Sequence, residues 1–152
     1  MDASASTVID RPIEQVFAFV TDIARMPAWV SGVTRARMVS GVMEQGARFV
    51  LAYQPGRRET ELEVAVEAYE PPSRFAFSTE RGPFAFSGRL ELVPEGTRTR
   101  VSSIIEADPD SVSTKMANLL LGGYIRRSMV RRLDRELSAL RDAIAADPNV
   151  RN

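Results

Sequence analysis

From Val33 to Ala107 the apolar residues recur with a period of two, in six runs separated by short turns. That is the spacing of a strand with one face buried, and it excludes a helical reading for the middle of the chain. The runs fall at about 33–42, 46–54, 58–69, 73–80, 83–93 and 97–107. Glu44-Gln45-Gly46, Pro55-Gly56, Glu70-Pro71-Pro72-Ser73, Arg81-Gly82-Pro83 and Pro94-Glu95-Gly96 separate them, rich in the residues that tight turns need. Connections this short join antiparallel neighbours, so the runs form a meander. A β-branched stretch at residues 3–9, ending Thr7-Val8-Ile9, adds a seventh strand.

Strand parity then sorts the side chains into two faces. Leu62, Val64, Val66 and Ala68 share a face with Thr60, and Glu59, Glu61, Glu63 and Glu67 point the other way. Phe84, Phe86, Gly88, Leu90 and Leu92 oppose Ser87, Arg89 and Glu91, while Phe75, Phe77 and Thr79 oppose Arg74, Ser78 and Glu80. Phe49, Leu51 and Tyr53 oppose Arg48 and Gln54, and Thr99, Val101, Ser103 and Ile105 oppose Arg98, Arg100, Ser102 and Glu106. Every acidic residue of these five strands lies on the outer face. The inner face keeps only Thr60, Thr79, Thr99, Ser103 and Tyr53 as polar groups. An unpaired charge there would be costly, so the expectation is an inner face without an acid or a base.

Helical spacing appears at the two ends of the meander. Pro12 suits a first helical position, Glu14 suits the positive end of a helix, and Ile13, Val16, Phe17 and Val20 follow at helical spacing. Thr21 or Asp22 is placed to cap a second short helix through Ile23 and Met26, broken or kinked by Pro27. Trp29, the sole tryptophan, and Ser31-Gly32 close that segment.

The chain ends in one long helix, from about Asp110 to Ala146, with Asp108, Pro109, Asp110 and Ser111 as start signals. Met129, Leu133, Leu137, Leu140 and Ile144 form a continuous stripe that is expected simply to pack on the sheet. Arg126, Arg127, Arg131 and Arg132 read as a solvated face. Gly122–Gly123 costs about 2 kcal/mol relative to two alanines. The pair marks a kink, a break or a close approach, and the half from Met116 to Tyr124 is where a cavity is expected to open.

At 152 residues, 44% apolar and 26% charged, the chain is the size of one ordinary globular domain, 1–152. It has no cysteine and no histidine, which removes disulfides, thiolate sites, the commonest metal ligand and any Ser-His triad. Twenty acids balance twenty bases, so no net field draws nucleic acid or an anionic membrane. The bases are 19 arginines and one lysine, Lys115, a bias that points to a GC-rich bacterial genome. No signal peptide or membrane-spanning run is evident, and the default location is cytoplasmic.

Several stretches resemble the START-related SRPBCC superfamily, in particular its polyketide cyclase/dehydrase-like branch. They are Val8 to Asp22 with Met26-Pro27-Ala28-Trp29, Gly46-Ala47-Arg48-Phe49, Tyr69 to Phe75, and Leu133 to Arg141. The resemblance implies an α+β helix-grip fold. In it a seven-stranded curved antiparallel sheet wraps on a long C-terminal helix, with two short helices after strand 1. It also implies a deep cavity for hydrophobic ligands and no cofactor. No catalytic motif of the cyclases is matched residue by residue.

The inner face and the helix supply the candidate ligand-binding residues: Trp29, Phe49, Leu51, Tyr53, Leu62, Val64, Phe75, Phe77, Phe84, Phe86, Gly88, Ser103, Met116, Leu120, Gly123 and Tyr124. Trp29 reads either as a pocket wall or as a core plug. Tyr53 and Tyr124 read either as hydrogen-bond donors to a ligand or as packing residues. Arg57-Arg58, at a hairpin tip, is placed to gate a cavity mouth, and Gly88 reads as a bulge glycine.

The leading functional expectation is a monomeric or homodimeric protein that binds a lipid-like or polyketide-like molecule. Neither nucleic acid nor a stable membrane is expected as a partner. The alternative is a cyclase, aromatase or dehydratase acting in the same cavity. A third reading is a partner-binding module in the manner of co-chaperone activators. A buried titratable group facing the cavity would favour the enzyme.

Overall fold

The computed structural model describes residues 2–54, 57–82, 85–107 and 115–147, with side chains for 3–54, 57–82, 85–106 and 127–147. β1 (Asp2–Ile9) leads into α1 (Ile13–Val20) and a 3-10 helix (Ile23–Ala28). β2 (Val33–Met38), β3 (Arg48–Tyr53), β4 (Thr60–Glu70), β5 (Arg74–Arg81), β6 (Phe86–Glu95) and β7 (Arg98–Ala107) follow, and α2 (Lys115–Ala146) closes the chain. All neighbours pair antiparallel in the order β1-β7-β6-β5-β4-β3-β2. The sheet is a curved half-barrel with α2 against it, the helix-grip fold.

β1 and β2 lie at opposite edges of this sheet, although they are neighbours in sequence. The two short helices are the crossover between those edges. Their apolar faces (Val16, Phe17, Phe19 and Val20, then Ile23 and Met26) are buried. Asp22 stands at the N-cap of the 3-10 helix, but its side chain makes no capping hydrogen bond. The Thr21 hydroxyl donates to Phe17 O at 2.8 Å at the end of α1, and Asp22 pairs with Arg25 at 3.0 Å. Pro27 lies inside the 3-10 helix without ending it.

Register shifts occur between Val33 and Arg35, between Glu63 and Val64, and between Val66 and Ala68, and the last of these changes the core face. Between Val66 and Ala68 the register against β5 shifts by one residue, a bulge at Glu67. Val66 faces Phe77, but beyond the bulge Tyr69, not Ala68, returns to the core face opposite Phe75. The Tyr69 ring packs on Phe17 at 5.6 Å, which ties α1 to the sheet.

Leu133, Leu137, Leu140 and Ile144 of α2 are buried, as the stripe requires. α2 is one hydrogen-bonded helix through Gly122–Gly123, so the expected break is absent. Arg25 joins both Asp22 and Asp147, and the second of these ion pairs fastens the end of α2 to the 3-10 helix. None of the described helices is long and apolar enough to cross a membrane.

Leu140 has no solvent exposure, whereas Val39 is 57% exposed. Leu140→Ala is expected to cost about 2–5 kcal/mol in urea unfolding. Val39→Ser is expected to stay within about 0.5 kcal/mol of the parent. Equal effects would contradict the assignment of the α2 stripe to the core.

Candidate functional site

The inner face of the sheet is not filled throughout. Phe77 sits at the centre of a chain of rings, 5.7 Å from Phe75, 6.4 Å from Phe49 and 6.2 Å from Phe86. Phe49 and Phe75 are fully buried behind it. On the other side of Phe77 a cavity of about 310 Å³ opens between the sheet, the 3-10 helix and α2. Its apolar wall includes Met26, Val30, Val33, Leu51, Leu62, Leu90, Ile105, Met129 and Leu133, with Trp29, Phe77 and Phe86 as aromatic panels.

Two glycines shape that wall. A Cβ on Gly88 would come within 2.7 Å of the Phe77 ring and 2.9 Å of Ile105, both lining residues. Gly88 pairs in regular register with Phe77 and Ile105, so its role is space for them and not a bulge. Gly32, at φ +82°, adopts a backbone conformation that favours glycine, and the Tyr53 ring occupies the space its side chain would fill.

One corner of the cavity is ionic. Arg132 and Glu136, one turn apart on α2, both line it. Arg132 Nε donates to Glu136 Oε1 at 2.9 Å, Nη1 to the Tyr53 hydroxyl at 2.6 Å and Nη2 to Ser31 O at 2.8 Å. Ser31 N–H donates to the same Glu136 oxygen at 3.1 Å. The guanidinium also lies 5.3 Å from the Tyr53 ring centroid, within range of a cation–π contact. Burial works against the charge on Arg132, but Glu136 and Tyr53 together outweigh it and hold the guanidinium more firmly protonated than in water.

The sheet contributes no acid or base to the lining, but the expectation of a cavity without one is corrected. The charges enter from α2. Arg127 and Arg131 are exposed, whereas Arg132 turns inward. The half of α2 that was expected simply to pack contributes Met129, Arg132, Leu133 and Glu136 to the cavity. The i, i+4 spacing of Arg132 and Glu136 beside the Met129–Leu133 stripe was the available signal.

Of the sequence candidates, Trp29, Leu51, Tyr53, Leu62, Phe77, Phe86 and Ser103 meet around the cavity. Phe49, Val64 and Phe75 lie in the packed core behind it, and Gly88 acts from beneath Phe77. Phe84 and the side chains of Met116, Leu120, Gly123 and Tyr124 lie outside the described residues. Thr79 and Thr99 spend their hydroxyls on the backbone, bonding Phe86 and Arg11 O respectively. Arg57 and Arg58 are exposed and are not part of the lining. Trp29 Nε1 is buried with no hydrogen-bond partner among the described residues. Those residues also include no group of acidic side chains placed to hold a metal.

A family model described as polyketide cyclase / dehydrase and lipid transport matches residues 1–144. Among solved structures, TTHA0849 from Thermus thermophilus is 18% identical, with TM-score 0.78 over 97% of this chain and 100% of its own. The Zhui aromatase/cyclase of a Streptomyces strain is 14% identical, with TM-score 0.69 over 96% of each chain. A START superfamily protein from Mycobacterium smegmatis is 15% identical, with TM-score 0.61 over 88% of this chain and 97% of its own. At these identities the likeness is one of fold. No curated protein matches the chain by sequence.

Arg132→Met would leave the Glu136 carboxylate without its cation. Because the Arg132 side chain is 37% exposed, the loss is expected to be about 1–3 kcal/mol, below that of a fully buried pair. In a urea-unfolding double-mutant cycle with Glu136→Leu, the two changes are expected to be non-additive by about 1 kcal/mol or more. Strict additivity would mean that the pair does not hold α2.

Proposed function

The chain belongs to the polyketide cyclase / dehydrase and lipid transport family, and on that premise we propose that it binds a hydrophobic small molecule between the sheet and α2. The observation that carries the reading is the 310 Å³ cavity with its mainly apolar wall. Protein interiors are otherwise close-packed, and apolar walls without packing partners forgo dispersion contacts. An apolar space of this size is therefore an unfavourable feature for a fold to keep without an occupant. Trp29, Phe77 and Phe86 suit a flat or lipid-like body, and burial of that body supplies the affinity.

A second reading, a cyclase, aromatase or dehydratase acting on a substrate held in the same cavity, draws support from Glu136. Its carboxylate lies in the lining, and Oε2 takes no hydrogen bond among the described residues. Binding is the better supported reading. The contacts that Arg132 and Glu136 do make tie α2 to Ser31 and Tyr53, which is a positioning arrangement.

N-phenyl-1-naphthylamine, an uncharged probe that brightens in apolar surroundings, tests the reading. The protein is expected to bind it saturably. Met129→Trp, which fills the cavity from α2, is expected to weaken that binding at least about tenfold, or 1.4 kcal/mol, with the unfolding midpoint retained. Absence of saturable binding to the parent protein would overturn the proposal.

A further inference from the structure

Resting on the ligand-binding reading above, we propose that Arg132 and Glu136 select a ligand whose polar end is an uncharged hydroxyl, and reject one that ends in a carboxylate. A guanidinium has five N–H groups. Arg132 gives one from each nitrogen to Glu136, Tyr53 and Ser31, which leaves one on each Nη atom. Glu136 takes both of its bonds on Oε1, and Oε2 accepts none among the described residues. Both residues line the cavity, and the Glu136 side chain is only 9% exposed. The corner therefore offers an unspent donor beside an unspent acceptor. A hydroxyl, which donates and accepts through one oxygen, matches both.

The charge of the corner sets the preference. Arg132 is already neutralised by Glu136 at 2.9 Å, so an incoming carboxylate finds no net positive field. It would lose its hydration and meet the Glu136 carboxylate in surroundings where like charges repel strongly. A neutral hydroxyl escapes both costs.

Titration calorimetry at neutral pH with naphthalene, 2-naphthol and 2-naphthoate tests this on one planar body with three endings. In the parent protein 2-naphthol is expected to bind about tenfold more tightly than naphthalene, through hydrogen bonds to charged groups, and at least about tenfold more tightly than 2-naphthoate. Glu136→Gln removes the carboxylate and leaves Arg132 a net cation, so the preference is expected to reverse towards 2-naphthoate. Equal or tighter binding of 2-naphthoate to the parent protein would overturn the inference. So would 2-naphthol binding no better than naphthalene. Either result leaves the cavity reading intact provided naphthalene binds. If none of the three binds, both the inference and the reading beneath it fail. The parent comparison decides the matter even if the Glu136→Gln protein does not fold.

Discussion

The guanidinium of Arg132 and the carboxylate of Glu136 join α2 to the rest of the molecule beside the part of the sheet that is left uncovered. Three of their contacts reach outside the helix, to both backbone groups of Ser31 and to Tyr53. The farther end of the same helix is fixed by Arg25 and Asp147. Between these ionic fastenings Leu137, Leu140 and Ile144 close the core by ordinary apolar packing. The packed stretch from Leu137 to Ile144 thus anchors α2, and the Arg132–Glu136 contacts hold it at the edge of the cavity that Met129 and Leu133 line.

The cavity also depends on the layer behind it. Phe49 and Phe75 fill the space next to the sheet and prop Phe77 forward. Gly88 leaves room for Phe77 and Ile105, and Gly32 leaves room for the Tyr53 ring. The same ring then lies beneath Arg132, and its hydroxyl accepts a hydrogen bond from the guanidinium. Apolar packing thus sets the orientation of the polar corner, and the polar corner sets the position of the helix.

Strand number, order of elements and the apolar face were legible in the sequence because period two and turn chemistry are local signals. The bulge at Glu67 was not, since one extra residue reverses parity without leaving a compositional trace. Ala68 was misassigned to the core face for that reason. Arg132 was read as solvated because helical arginines usually are. Its inward turn depends on Ser31 and Tyr53, which lie 101 and 79 residues away in sequence. Six of the seven candidate residues that meet at the cavity do so because strand parity carries inner-face information directly, and Trp29 joins them from outside the sheet. Phe49, Val64 and Phe75 share that face but lie in the filled part, a distinction that only the covering helix makes. Gly88 was recognised as special, but its cause is close side-chain packing and not a bulge.

The central claim is that this fold maintains an apolar cavity for a molecule of its own. Native mass spectrometry of the protein purified from its host without detergent tests that claim most directly. A discrete adduct of small-molecule mass is expected, one that extracts into organic solvent and is lost in a protein whose cavity has been filled at Met129. A spectrum of bare polypeptide, together with no saturable uptake of apolar compounds added afterwards, would contradict it.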